Sequence, residues 1–389
     1  RRAAGMVGRP QAAIRRIAGL TWMPRFLFYI TGHGFGHARR MAQVARALAA
    51  RSAGSSIHIR TAAPAHIFEP LPGINVDHSN IDCGLIEKDA LTIDREASLT
   101  RLVGFMRGRD AIIGHELTVV RAIEPALIVA DIPFLAGDVA TAAGAACVGI
   151  SNFTWDWIYE NLFGDDPRYA DLAPAIVAGY AKMNALLELP FGQTCPAIGH
   201  KIPTPLIAAH SVRDKQQILC GLGLADDVRP RVLLGMRGGL PPDTLIAGVQ
   251  DAPAFLFLCP HAPATGLPDN ARGIIIGPDL DFSDAVAISD VVISKLGYGI
   301  VSDCIAAQAR LLWPPREGFA EDQVMAARAP RSLRMLPIPR DDFRHGRWGS
   351  YLREAMQLAA VLDLPRTDGA GVCADFLMRM VKAPPPDRS

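Results

Sequence analysis

The feature that most constrains this chain is a short apolar run from Arg25 to Thr31 that breaks into the turn Gly32-His33-Gly34-Phe35-Gly36-His37. Behind the turn, Met41, Val44, Ala45 and Leu48 recur at helical spacing up to Arg51. A strand, a glycine turn and a helix open a βα unit. The pattern returns at 57–61, at 126–130 before a helix over 136–146, and at Cys147–Ser151 before Trp155–Phe163. Strands that alternate with helices pair in parallel and wind doubly around one sheet.

From 195 to 231 the chain turns rich in proline, glycine and charge, with Pro203, Pro205, Gly221, Gly223 and Pro230. A second series then starts at 232–235 with the turn Met236-Arg237-Gly238-Gly239. Further strands are expected at 255–259, 273–276, 290–294 and Arg310–Trp313, and terminal helices over 351–362 and 373–380. At roughly 100–200 residues per domain, 389 residues suit two domains. The expected division is a basic leader at 1–22, a first Rossmann-like domain at 23–210, a second at 211–347, and terminal helices with a proline tail at 348–389. The linker falls near 205–225. Two such α/β domains leave a cleft between the carboxyl ends of their strands, where these sheets bind ligands.

Composition narrows the function classes. The formal net charge is +1, from 40 Lys and Arg against 39 Asp and Glu, which argues against a nucleic-acid partner. The leader carries Arg1, Arg2, Arg9, Arg15 and Arg16 and no acid, so without it the charge is −4. It reads as disordered sequence ahead of a start at Met23, or as a transit-like or lipid-surface segment. No apolar run reaches the ~18 residues of a spanning helix. Seven scattered cysteines without a CxxC pair suggest neither a disulfide framework nor a zinc site, and fit a reducing cytoplasm. The sequence carries no sign of oligomeric state, and no metal is expected.

Four turns carry chemistry. In the first, Phe35 and His37 crowd the positions where a dinucleotide fingerprint needs glycine. His33 and His37 at the mouth of a strand–helix turn suit general-base work on a bound hydroxyl, or simply bond the turn. The second, Ser294-Lys295-Leu296-Gly297-Tyr298-Gly299, bares backbone N–H groups at a helix start, where a phosphate fits. Ser302 and Asp303 follow one turn later, and a carboxylate there can accept from a ribose diol; an ordinary helix hydroxyl and first-turn acid explain them too. The third runs from Pro314 to Glu321-Asp322-Gln323, polar groups that can ligate sugar hydroxyls or cap a helix. The fourth is Arg237-Gly238-Gly239, whose arginine either contacts a phosphate or lies in solvent.

These segments, in this order, resemble the GT-B glycosyltransferases. The second half looks like the donor domain of the bacterial peptidoglycan N-acetylglucosaminyltransferase. A fuller resemblance, from Met23 to about Met356, is to the glycosyltransferase-like N-terminal half of plant L-arabinokinases and their bacterial homologues. It is carried by Tyr29–His37, by Asp82-Cys83-Gly84 with Asp89–Arg95, by Asn152–Tyr159, and by Lys295–Gly299 with Val301-Ser302-Asp303. The kinase half of the plant proteins has no counterpart in the sequence, so sugar phosphorylation is not expected.

The resemblance implies a metal-independent, inverting transferase using a nucleotide-diphosphate sugar, a UDP-sugar for choice, as co-substrate, with no other cofactor. His37 would take the acceptor proton, with His33 second, and Asp131 would orient it. Lys295, Gly297, Tyr298, Gly299 and Ser302 would surround the diphosphate, with Arg237, Gly238 and Gly239 nearby. Asp303 would hold the ribose, the loop ending at Phe282 the base, and Glu321, Asp322 and Gln323 the sugar. The small-molecule acceptor, a hydroxyl or amine, would meet Asp82, Asp94, Arg95, Asn152, Trp155 and Trp157. Two other functions stay open: a silent sugar-nucleotide-binding module, and a nucleotide-sugar 2-epimerase using Glu321 and Asp322.

Overall fold

The computed structural model describes residues 23–52, 54–68, 73–236, 238–261, 266–277, 279–362 and 364–382. The basic leader, Arg237 and the proline tail lie outside the described residues.

A first sheet of seven parallel strands runs in the order Ile74–His78, Ser56–Thr61, Arg25–Ile30, Leu127–Asp131, Cys147–Ser151, Ala185–Glu188 and Lys201–Pro203. Its central strands Leu127–Asp131 and Cys147–Ser151 are buried along their whole length, because helices cover both faces. A second sheet has six parallel strands, in the order Ala271–Gly273, Leu256–Cys259, Arg231–Leu234, Val291–Ile293, Arg310–Trp313 and Met335–Pro337. In each sheet the strand order reverses once, between Arg25–Ile30 and Leu127–Asp131 in the first and between Arg231–Leu234 and Val291–Ile293 in the second. Beyond the carboxyl ends at such a reversal the flanking helices diverge to opposite faces and leave a crevice. Ile30 is registered beside Asp131, so the histidine turn opens next to that aspartate.

Several expected elements differ in extent. The strand expected at 273–276 is Ala271–Gly273, set by its pairing of Phe257 with Ala271. The isoleucines that suggested a longer strand leave the sheet, and Ile275 is exposed. The helix expected at 351–362 is Gly349–Gln357, ended by extended backbone at Leu358. Two helices without strong periodicity, Arg95–Arg107 and Arg109–Ile123, were not anticipated. Glu116 ties the second of them to the sheet by accepting from Tyr29, Arg60 and Ser79.

The terminal helices do not form one unit. Gly349–Gln357 packs on the second sheet, where Trp348 and Leu352 are fully buried. Gly369–Lys382 crosses back and lies along the helix Phe35–Arg51, burying Cys373, Ala374 and Leu377. That last helix therefore backs the element that carries His37. Leu377→Ala is expected to destabilise the protein by about 2–5 kcal/mol, through lost apolar burial plus the cavity left, read as a lower denaturation midpoint.

Candidate active site

His37 stands in the first turn of the helix Phe35–Arg51, whose cap, Gly34, has a φ of 79° that favours glycine. Its Nδ1 lies 3.0 Å from Asp131 Oδ1. A carboxylate accepts and an imidazole N–H donates, so this contact selects the Nδ1–H tautomer and leaves the lone pair on Nε2. Arg40, one turn on, donates through Nε to Asp131 Oδ2 at 2.7 Å and through Nη2 to Asp131 Oδ1. Arg40 Nη2 also lies 2.9 Å from His37 Nδ1 and competes for that nitrogen, against which the anionic carboxylate is the stronger partner. Burial alone would raise the Asp131 carboxyl, but Arg40 and His37 outweigh it and hold it below the usual range. Asp131 is thus an anion under the histidine at neutral pH.

His33 is placed differently. Its Nδ1 accepts from the Leu85 N–H at 3.4 Å, and the ring lies parallel to Phe319. Burial, and then the charges of His37, Lys295 and Arg316, push its pKa down to about 3. It is therefore a neutral ring whose remaining nitrogen, Nε2, carries the proton. That suits it to donate a hydrogen bond and unsuits it to be the base.

Both residues line a cavity of 1420 Å³ between the two sheets. Single small-molecule sites span roughly 300–1,000 Å³, so this space has room for two ligands side by side. On its far wall the helix Tyr298–Ala307 starts at Gly297 with no side-chain cap and no acid in its first turn. The His37 helix starts in the same way. A Cβ on Gly299 would lie 3.7 Å from Gly36 Cα, so the two starts abut. Uncapped N–H groups from two helices face one cleft, a surface for an anion.

Lys295 bridges that wall to the first domain, with Nζ 3.3 Å from Glu87 Oε1. Tyr298 borders the cleft but accepts from the Ile207 N–H at 2.9 Å and lies 5.1 Å beneath the Arg40 guanidinium. Asp303 borders the cleft and accepts from the Ala209 N–H at 2.8 Å; burial lifts its carboxyl to about 6 against the pull of Arg39. Gly238 lines the cavity, and Gly239 stands beside it, with φ of 77° and 81°. Phe282 lines it too, with the Arg39 guanidinium 4.9 Å over its ring. Among the described residues no group of three or more His, Cys, Asp or Glu is arranged to hold a metal ion.

With this geometry in hand, comparisons place the chain. It is 30% identical over 339 residues to L-arabinokinase of Arabidopsis thaliana, a match covering 86% of this chain and 32% of that protein. The chain thus spans about a third of the length of that relative. No protein-family model matches. Among solved structures it is similar to the calicheamicin glycosyltransferase CalG4, with a TM-score of 0.60, 15% identity, and coverage of 93% of this chain and 96% of that one. The spinosyn rhamnosyltransferase SpnG matches with a TM-score of 0.59 at 14% identity, over 93% and 96%. UGT2 of Phytolacca americana, solved with UDP-2-fluoro-glucose and pterostilbene, matches at 0.57 and 14%, over 92% and 94%. The chain has the GT-B fold.

Within this GT-B fold, some residues expected at the cleft are elsewhere. Ser302 is wholly buried, one turn behind Tyr298. Of the third turn, Glu321 borders the cavity, Asp322 is buried in an ion pair with Arg316, and Gln323 is exposed on the helix Ala320–Arg328 outside the cavity wall. On the acceptor side only Asp82 reaches the cavity, where its Oδ2 accepts from Trp155 Nε1 at 2.9 Å. Asp94 instead caps the helix Arg95–Arg107 by accepting from the Ala97 N–H, and Arg95 donates to the Leu162 carbonyl and pairs with Asp165. Asn152 is wholly buried.

The segment that holds the expected acceptor contacts Trp155 and Trp157 is rich in aromatic rings. It is helical, so Trp155, Tyr159 and Phe163 stack on one inward face, and Trp157 is buried as well. Only Phe153 of that run lines the cleft. Sequence reasoning missed Arg40 and Arg316. The one available signal for Arg40 was its place three residues after His37, on the same helical face.

Removing Arg40 would leave a buried carboxylate unpaired. Arg40→Ala is expected to cost about 3–5 kcal/mol by denaturant unfolding at neutral pH. Because the native Asp131 pKa is depressed, its stabilisation is fully present above about pH 4 and is lost as pH falls through the native value. Below about pH 4 the wild type should therefore lose stability more steeply than Asp131→Asn.

Proposed function

We propose that the chain is an inverting, metal-independent glycosyltransferase that moves a sugar from a nucleotide diphosphate, a UDP-sugar for choice, to a small-molecule hydroxyl or amine. The observation that carries this reading is the His37–Asp131 couple facing the uncapped start of the helix Tyr298–Ala307 across one cavity wide enough for two ligands. His37 Nε2 takes the acceptor proton as the acceptor atom bonds to the anomeric carbon. The bond from that carbon to the phosphate oxygen breaks on the opposite face, inverting the centre and releasing the nucleoside diphosphate. Asp131 stabilises the imidazolium formed. Charge growing on the leaving diphosphate meets the helix N–H groups, Lys295 and the neutral His33 donor. Likeness to glycosyltransferases solved with dTDP and with UDP-2-fluoro-glucose supports a nucleotide donor.

The 2-epimerase alternative needs acids free to act on the sugar. Glu321 accepts from Asn152 and Asp322 is paired with Arg316, which weighs against it. A silent binding module would bind the nucleotide and turn nothing over.

A thermal-shift screen against UDP-, GDP-, dTDP- and ADP-sugars tests the donor site. Ligand at 100 times its Kd should stabilise the protein by about 2.7 kcal/mol, and no shift with any of them removes the reading. His37→Ala should lower transfer by about 10²–10⁴-fold with donor binding retained; unchanged transfer removes His37 as base. The affinity for UDP-glucose should rise as pH passes upward through about 6, where Asp303 ionises, and calorimetry on Asp303→Asn should show that dependence flattened.

A further inference from the structure

We infer that Asn152 is a positioning residue through which the donor loop of the second domain holds the histidine centre of the first; its catalytic consequence rests on the transferase reading above. Asn152 follows the strand Cys147–Ser151 and is wholly buried. Its Oδ1 accepts from Arg40 Nη1 at 2.7 Å, and its Nδ2 donates to Glu321 Oε1 at 3.0 Å. A guanidinium only donates and a carboxylate only accepts, so the residue between them must do both. Asparagine does, with its amide orientation dictated by its two neighbours. Aspartate cannot donate when ionised, and leucine can do neither.

The contacts continue on both sides. Beyond Arg40 lie Asp131 and His37. Beyond Glu321 lies Arg316, 3.6 Å from Glu321 Oε2, paired with Asp322 and set 3.8 Å over the Phe319 ring. Every polar group from His37 to Asp322 is buried or nearly so, and the hydrogen-bonded line crosses between the domains at the Asn152–Glu321 bond. Two ion pairs between the domains, Arg39 with Asp281 and Lys295 with Glu87, are partly exposed and correspondingly softened by solvent. In the low-dielectric interior a hydrogen-bonded line of charges keeps its geometry, because breaking one link strands its neighbours. Glu321 also borders the cleft. A sugar hydroxyl that engages it therefore acts on the same line that orients Arg40, Asp131 and the His37 ring. The donor loop and the base are set together.

Nitrogen NMR of histidine-labelled protein reads the His37 ring directly, its signals identified by their absence from His37→Ala. Asn152→Asp should move them, and so should Glu321→Ala, although Glu321 belongs to the other domain. The double variant Asn152→Asp/Glu321→Gln reverses the polarity of the bond, since the new amide can donate to the new carboxylate, and should return the signals toward the wild-type positions. A general loss of packing would not be repaired by that exchange. In transfer assays Asn152→Asp should lower kcat by about 10–100-fold, with the KM for the nucleotide sugar within about threefold. His37 signals unmoved by Glu321→Ala, or not restored in the double variant, would overturn the coupling. If Asn152→Asp does not fold, Glu321→Ala decides it. Absence of transfer in the wild type with every donor would instead remove the transferase reading, and the NMR result would still decide the coupling.

Discussion

Asp131 ends the strand Leu127–Asp131 with no solvent exposure, and an ionised carboxylate in that place is tolerable only because Arg40 clasps it with two donors. Everything at the first-domain wall of the cleft depends on that pair. It supplies the acceptor that sets the His37 tautomer, it anchors the start of the His37 helix to the sheet, and its outer nitrogens reach Ser151 at the end of the next strand and Asn152 just beyond it. The helix Gly369–Lys382 closes over the back of the same element. A charge pair of this kind gains little net stability over an apolar core, but it holds its partners in one arrangement.

The second wall works by another means. A chain with net charge near zero cannot attract an anion through its overall field, so local turns must do so. At the strand reversal of the second sheet, Ser294 Oγ donates to the Gly235 carbonyl and so ties two glycine turns together. The helix start at Gly297 then faces the cleft with its N–H groups uncapped. The cations nearby are mostly committed: Arg316 to Asp322, Arg39 to Asp281, Lys295 to Glu87. They shape the walls as much as they charge them.

Much of this was legible in the residues. The two βα series and the glycine turns at their strand ends follow from apolar runs that stop at known positions, and such runs carry a local signal; the place of Asp131 beside the histidine turn is what the family resemblance implied. Arg40 was not legible, because on a helix that also carries Arg39, Arg46 and Arg51 it reads as one more solvated charge. Asp94 and Arg95 belong to a segment that carries the resemblance, yet Asp94 caps a helix, a role that acid shares with any other at that position. Trp155 and Trp157 are expected at the acceptor, but in a helix the steps of four decide which rings meet, and both are turned into the core.

The sequence by itself determined the two parallel sheets and their facing carboxyl ends, because alternating strands and helices of these lengths admit few other topologies. It also determined which histidine turn and which glycine turn would meet. Only the tertiary structure decided which polar side chains reach the cleft and which are spent inside. Asp322 differs from Asp82 and Asp303 not in chemistry but in the direction the backbone gives it, and Asn152 and Ser302 are likewise turned inside. That direction is set by long-range packing, such as Asn152 meeting Glu321 from another domain, and no local pattern encodes it.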